Sequence, residues 1–531
     1  MINFKSRAAV AGRGAVDQAA AVETRNPAEL SGRVLAFATV VIAVAAVFLR
    51  VWQLGLLGFN SDEAVYAGQA ASIVGHPDYR TIFPIFRAHP LLYQFSLALV
   101  YQFVLTDLAG RILAVGFGLV GLWFVYRAGN LLYGRRVGVV AALLLAVMPY
   151  HVVVTRQALL DGPMTTFAAL TLYLVARYAV TEQPRWLHAA GAGLGLTFLA
   201  KETAVVFLPA VYAFLALSPS IRVKLRDLAI SGACFAVVIA PFPLSLLLGG
   251  GTKAGKGFLA WQLFRPPNHS GGFYLQYVPA AVGFLVVLAA ALALFLLRRE
   301  WTWRENLLVV WIAMPILFFQ TWPVKGFQYL LPVIPAIVIL AARALAGWPT
   351  TTPLRGGSRR VPAAALQVVA VTLVVATLVA SSWSRVNVTN STSFLAGSGG
   401  VPGGRAAGLW LRENVPAGAQ MLALGPSMAN ILQFYSHQRV YGLSVSPNPL
   451  HRNPAYDPVP NPDRLLRDGR LQYLIWDSYS AGRSKFFADN LLRYVRRYRA
   501  NEVHRETVPI RNAAGETVQE PVIIIYRVRQ Q

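Results

Sequence analysis

The sequence predicts an α-helical polytopic membrane protein of about eleven spans with a small C-terminal extracytoplasmic α/β domain. Three observations carry that prediction. Apolar runs of about 18 to 22 residues recur from Val34 to Ala380, each long enough to cross about 30 Å of hydrocarbon. Only 13% of the 531 residues are charged and 56% are hydrophobic, whereas soluble domains carry roughly 25% charged residues. Beyond Ser382 the long apolar runs stop, and short helix and strand signals alternate instead.

The spans are read at 34–52, 111–132, 137–154, 163–180, 188–200, 203–217, 228–247, 277–297, 307–321, 328–346 and 363–382. The fifth and sixth are short and predict a tight helical hairpin. The first is too long, and too closely followed by others, for a cleaved signal peptide. Orientation follows from basic residues in short loops. The leader, 1–33, holds Lys5, Arg7, Arg13, Arg25 and Arg33, which place it in the cytoplasm. Alternating sides then puts every strongly basic connection there: Arg135 and Arg136; Arg177 and Arg185; Arg222, Lys224 and Arg226; Arg298, Arg299 and Arg304; Arg355, Arg359 and Arg360. Leu91–Leu105 is apolar but only about fifteen residues long, too short to span. It reads as an interfacial helix within one long external loop, 53–110, with a re-entrant segment as the alternative.

The membrane domain so defined covers 34–383. Residues 384–404 are rich in Ser, Asn and Gly, a linker signature. From 405 to 531, AAGLWLREN, MANILQFYSH and SKFFADNLLRYVRRY read as helices. QMLALG, RVYGL, LQYLIWD and PVIIIYRV read as strands, which together predict a largely parallel sheet. An odd span count puts this domain outside, at the cell membrane.

The formal net charge of +25 comes from residues dispersed between apolar spans. Positive-inside topology and anionic lipid headgroups account for it, and nucleic acid is not an expected partner. The single cysteine, Cys234, lies in an apolar span, which rules out an intrachain disulfide and a paired-cysteine metal site.

Candidate chemistry gathers in the loops on the external side. Asp62 and Glu63 are adjacent acids about ten residues past the first span, where a carboxylate can deprotonate an acceptor hydroxyl or amine. The plainer alternative is a helix cap by Ser61 or Asp62. Arg156 and Asp161 flank the turn after the third span, where Asp161 is also a candidate cap. Lys201 and Glu202 sit at the hairpin tip, either as an intrahelical ion pair or with Lys201 as a point charge for phosphate. Arg265 and His269 lie in the loop after the seventh span, and Lys325 and Tyr329 at another external mouth, where a lysine also snorkels by default. These groups come from separate loops, and a topology assigned from other residues brings them to one face.

The first-loop Asp-Glu, the HPLLYQF segment, the R-x4-D turn, the AKE hairpin and KGFQYLLPVIPAI together resemble the GT-C superfamily of membrane glycosyltransferases. The closest branch is that of protein O-mannosyltransferases and lipid A aminoarabinose transferases, over roughly 34–346. The resemblance implies sugar transfer from a polyprenyl-phosphate donor, with inversion, to a lipid, glycan or protein acceptor outside the membrane. It implies catalytic roles for Asp62, as general base, and Asp161, with Glu63 beside them, and phosphate contacts from Lys201, His89, Arg265 and Arg156. Substrate contacts are expected from His269, Lys325 and Tyr329. Val65 stands where the family often has arginine, and Ala88-His89 where the aminoarabinose branch has Glu-Lys. That branch's metal ligand and one phosphate lysine are therefore absent, with His89 or Arg87 as candidate replacements for the phosphate contact; no cofactor is assigned and a divalent metal is left open. A transporter or flippase of lipid-linked sugars is the rival class, but it predicts internal repeats and midplane charges that the sequence lacks.

Overall fold

The computed structural model describes residues 32–85, 89–248, 258, 261, 262, 264, 266–347, 363–387, 402–511 and 515–529. The basic leader, the loop holding Arg355, Arg359 and Arg360, most of the expected linker, Arg87 and Arg265 lie outside them. Each span read from the sequence has a helical counterpart. Among the described residues, five helices are long and apolar enough to cross a membrane: Gly32–Val51, Asp107–Tyr133, Asp161–Thr181, Phe327–Ala346 and Ala364–Val386. Three more crossings arise if each bent helix pair counts as one span. The pairs are Arg135–Val147 with Pro149–Thr155 (61°), Leu225–Ile239 with Pro241–Leu248 (47°), and Phe273–Val282 with Phe284–Leu297 (95°).

The bends have local causes. Pro149 and Pro241 each open the second helix of a pair, where a missing N–H costs least. Gly283 takes φ +96° between the third pair, a conformation that side chains rarely adopt. The 188–200 and 203–217 runs form helix Pro184–Ala200 followed by a 3-10 turn, Glu202–Val206, and helix Phe207–Ala216. Leu91–Leu105 contains the ten-residue helix Leu92–Tyr101.

Small residues let the helices approach. A Cβ added at Gly191 would lie 2.1 Å from the Ser231 carbonyl oxygen, and one at Gly195 would lie 2.7 Å from the Val238 side chain. Helices Pro184–Ala200 and Leu225–Ile239 thus touch almost backbone to backbone, as packing in lipid favours.

The C-terminal unit holds a five-stranded sheet, β1 (Met421–Ala423), β2 (Val440–Gly442), β3 (Tyr473–Asp477), β4 (Asn501–Arg511) and β5 (Thr517–Arg527). The order is β2-β1-β3-β5-β4. Pairs β1–β2 and β1–β3 are parallel, but β3–β5 and β4–β5 are antiparallel. The sheet is therefore mixed rather than largely parallel. The difference lies in β4, whose sequence NEVHRETVPIR is polar and largely exposed, so it carries no apolar run. Helices Gly404–Asn414, Pro426–Ser436 and Lys485–Arg497 match the three read from sequence.

This unit is docked on the first long loop. The Tyr435 hydroxyl accepts from the Phe59 N–H (2.7 Å) and donates to Asp107 (2.7 Å). Arg405 donates to the Gly55 and Leu57 carbonyls (2.9 and 3.2 Å) and pairs with the Asp107 carboxylate. Tyr79 donates to the Phe434 carbonyl (3.0 Å), His437 meets Asp78 (2.9 Å), and Asn430 donates to Ser61 (3.0 Å). Phe59, Tyr79, Ile431 and Phe434 share one buried cluster, so the seam is apolar as well as polar.

Gly191→Ala should cost about 1–3 kcal/mol by overpacking and lower the thermal midpoint of purified protein in detergent. Gly232→Ala, with no atom within 4 Å of the added carbon, is the control. Equal midpoints for the two variants would disprove the close helix contact.

Candidate active site

The site begins at helix Ser61–Val74. Its cap is Asn60, whose side chain accepts from the Glu63 N–H (3.0 Å), while Glu63 returns a bond from the Asn60 N–H (2.9 Å). Neither Ser61 nor Asp62 is the side-chain cap. Asp62 is half-buried in the first turn.

Glu63 is fully buried, and its carboxylate is committed elsewhere. Arg111 Nε donates to one oxygen and Nη2 to the other, both at 2.8 Å, and the Ala158 N–H donates to the first (2.9 Å). A bidentate pair with two further backbone donors leaves this acid no room to accept a substrate proton. Glu63 therefore departs from its expected catalytic place. It ties helix Ser61–Val74 to helix Asp107–Tyr133 and to the turn before Asp161.

Arg156 departs from its expected place as well. Only 1% exposed, it donates to the Leu49 (2.8 Å) and Trp52 (2.7 Å) carbonyls and so closes the end of the first helix. The buried Arg50 acts similarly, bonded to the Ala46 and Ala146 carbonyls, Thr155 and His151.

Asp161 opens helix Asp161–Thr181 without capping it, because Leu160 holds that position. Its carboxylate instead receives Lys201 Nζ at 2.8 Å, with both side chains buried. The helix ending at Ala200 breaks at Lys201, where φ −162° and ψ 131° are extended. That break turns Lys201 and Glu202 apart. Lys201 reaches Asp161 and lies 4.7 Å over the Tyr329 ring, while Glu202 meets His89 Nδ1 at 2.8 Å. The intrahelical Lys201–Glu202 pair expected as an alternative does not form.

Tyr66 ties these groups together. Burial, and then the charges of Asp62, Asp161 and Glu202, hold its phenol well above the ordinary value. Three acids from three parts of the chain thus act on one hydroxyl through their charge, and His89 packs edge-on against the Tyr66 ring with centroids 6.3 Å apart. Tyr66 carried a legible signal, standing four residues after Asp62 on the same helical face. The Glu202–His89 pair, joined across 113 residues, had none. His269 and Lys325 meet at a second location, joined through Asn268, which exchanges hydrogen bonds with the Lys325 backbone (2.8 and 2.9 Å). Among the described residues, no three His, Cys, Asp or Glu side chains are grouped to hold a metal ion.

Comparison with known proteins bears on the fold. Residues 88–246 match the family model described as dolichyl-phosphate-mannose-protein mannosyltransferase. Among solved structures, ArnT from Cupriavidus metallidurans in the apo state superposes with TM-score 0.65 at 14% identity, covering 92% of this chain and 97% of that chain. This chain has the GT-C fold. The GT-C likeness extends to ArnT from the same organism bound to undecaprenyl phosphate, with TM-score 0.63, 14% identity and the same 92% and 97% coverage. It extends also to the archaeal oligosaccharyltransferase AglB from Archaeoglobus fulgidus, in complex with an inhibitory peptide and a dolichol-phosphate. There the TM-score is 0.57 at 13% identity, covering 91% of this chain and 74% of that one. No curated protein matches this chain by sequence. At these identities the GT-C likeness speaks to fold, and the side chains must be argued from their own geometry.

Glu63→Gln leaves a buried arginine with half its partner, so it should cost about 3 kcal/mol of stability. Thermal unfolding in detergent measures it. An unchanged midpoint would show that Glu63 does not pin the site.

Proposed function

We propose that the chain is a glycosyltransferase that moves a sugar from a polyprenyl-phosphate donor to a lipid, glycan or protein acceptor on the extracytoplasmic face. One observation carries the reading. Glu202 holds His89, whose ring packs edge-on against Tyr66; Asp62 stands one helical turn before Tyr66; and the charges of Asp62, Asp161 (itself paired with Lys201) and Glu202 all act on the Tyr66 hydroxyl, on the helix where the C-terminal unit docks through Ser61. Such a site offers a base and cations to a substrate with a charged head and an apolar tail. An apolar groove of about 780 Å³ between helices Asp107–Tyr133 and Asp161–Thr181, walled by Leu108, Ile112, Val120, Phe167 and Leu170, suits a prenyl chain.

In this reading Asp62 takes the proton of the acceptor as its oxygen or nitrogen attacks the anomeric carbon. The C–O bond to phosphate breaks on the opposite side, so configuration inverts. Negative charge then gathers on the leaving phosphate. Lys201, oriented by Asp161 and Tyr329, and His89, oriented by Glu202, stabilise that charge. Phosphate is a good leaving group once so held, so no second general acid is needed, unlike glycoside hydrolysis. Arg265 remains a proposed phosphate contact, and a divalent metal is not required by any step.

The accompanying topology has eleven spans with the N-terminus in the cytoplasm and the C-terminal unit outside. Basic loops support it. Cysteines placed at Ser444 and Gly162 should react with impermeant reagents added to intact cells, while one at Gly357 should not. Labelling at Gly357 alone would reverse the orientation.

Asp62→Asn tests the chemistry. The variant keeps shape but removes the basic lone pair, so transfer should fall about 10²- to 10⁴-fold. Donor binding and thermal stability should stay near wild type. Radiolabelled sugar transfer by purified protein, with a parallel donor titration, supplies the measurement, and near-normal transfer would sink the assignment.

A further inference from the structure

The segment 485–499 of the C-terminal unit holds five cations, Lys485, Arg493, Arg496, Arg497 and Arg499, against one acid, Asp489. Lys485, Arg493, Arg496 and Arg497 all belong to helix Lys485–Arg497 and all are exposed. At about 100° per residue they fall within one arc of about 120°, and Phe486 lies in the same arc. The opposite side of the helix buries Ala488 and Leu491.

The sheet sets where that basic arc points. Alternate residues of a strand face opposite sides. Met421, Ala423, Tyr473 and Ile475 pack with helices Gly404–Asn414 and Pro426–Ser436, and the second of these docks on the first long loop. Leu422, Leu424 and Leu474 pack with helix Lys485–Arg497 instead. The sheet therefore stands between the basic helix and the docked one, and the basic arc forms the outer layer of the unit.

Helix Pro462–Arg467 lies beside it, joined through the Tyr498 hydroxyl, 2.8 Å from the Asp463 carbonyl and 2.9 Å from its carboxylate. A hollow of about 790 Å³ opens there, lined by Asp463, Asn490, Arg493, Tyr494, Arg496 and Arg497. Asp463 is already matched by Arg467 (3.2 Å) and Arg497 (3.0 Å). Among the described residues, no carboxylate pairs with Arg493 or Arg496. Three guanidinium groups thus meet a single carboxylate, which a fourth shares.

The spread of these cations points to a chain rather than a single ion. From Lys485 to Arg497 the helix runs about 18 Å, longer than the screening distance of about 8 Å at physiological salt. A polymer of repeating negative charge gains from many weak contacts at once. The rings point to sugar. Phe486 is 67% exposed, set edge-on to Phe487 at 5.1 Å, and Tyr494 lines the hollow. An exposed ring beside guanidinium groups can take the C–H face of a pyranose while a guanidinium holds its carboxylate by two bonds. Lipid headgroups suit the place less, because the helical unit lies beyond the other face of the sheet.

We propose that Arg493, Arg496 and Arg497, with Phe486 and Tyr494, form a docking face for an acidic polysaccharide whose repeating carboxylates meet the guanidinium groups. The face does not depend on the transferase reading, since its occupant binds with no donor present.

Titrations of full-length protein in phosphatidylcholine nanodiscs test it, with oligogalacturonate, neutral dextran oligomers, inorganic polyphosphate and polyuridylate as probes. Wild type should bind oligogalacturonate and ignore dextran. The double variant Arg493→Gln with Arg496→Gln should bind oligogalacturonate about tenfold more weakly, with an unchanged thermal midpoint because both side chains are exposed. Phe486→Ala should weaken oligogalacturonate about threefold and leave polyphosphate unaffected, since polyphosphate has charge but no sugar ring. Arg511→Gln, an exposed change at the end of β4, should alter neither. Equal oligogalacturonate affinities in wild type and the double variant would overturn the proposal, as would tighter wild-type binding of polyuridylate than of oligogalacturonate. Amide exchange in helix Lys485–Arg497 that slows in phosphatidylglycerol nanodiscs, but not with oligogalacturonate, would assign the face to the bilayer and overturn it too.

Discussion

The Glu63–Arg111 pair is the constraint on which the rest of the site depends. Two charges lie side by side with almost no exposure, Arg111 donating to both carboxylate oxygens. Burying either charge by itself would be costly, so neither helix can shift without the other. Arg111 also donates to the Leu54, Leu57 and Gly58 carbonyls, and Glu63 takes the Ala158 N–H. One ion pair therefore joins the end of the first span, the loop helix, the second span and the turn leading into Asp161. Asp62, the residue before Glu63, inherits a fixed position from this junction. So does Ser61, which receives the C-terminal unit through Asn430.

A second constraint acts on the other wall. A continuous helix through Lys201 and Glu202 would have placed their side chains about 100° apart on one cylinder, at a depth set by the helix alone. The extended residue at Lys201 frees each to find a separate partner, Asp161 for the lysine and His89 for the glutamate. Each charge in this wall is thereby matched by an opposite or hydrogen-bonding group from another segment. The cations proposed for the leaving phosphate are pre-oriented before any substrate arrives, so little reorganisation is needed as charge develops.

The legible parts of the sequence were those that lipid dictates. Apolar length responds to a single solvent, and each of the eleven runs has a helical counterpart among the described residues. Asp161 and Lys201 were legible as isolated charges at span ends, although their mutual bond was not. Glu63 and Arg156 looked equally exposed to chemistry, because a sequence does not distinguish a charge facing substrate from one facing a carbonyl. Their burial is a long-range property, set by Arg111 in one case and by the end of the first helix in the other. Strand β4 escaped notice because its partner β5 covers one edge while its faces stay polar.

The docking of the C-terminal unit bears on how such a site handles water. Tyr435 bridges the Phe59 N–H and Asp107, and Arg405 donates to the Gly55 and Leu57 carbonyls of the same loop. Those bonds, flanked by the apolar rings of Phe59, Tyr79 and Phe434, leave solvent little reason to enter from that direction. The same contacts fix helix Ser61–Val74, so Asp62 is held on an element clamped from two directions, by Arg111 below and by the C-terminal unit through Ser61. For a proposed base that must meet an acceptor and a sugar at once, such a clamp and an apolar flank serve the same end, since both keep water from competing with the acceptor.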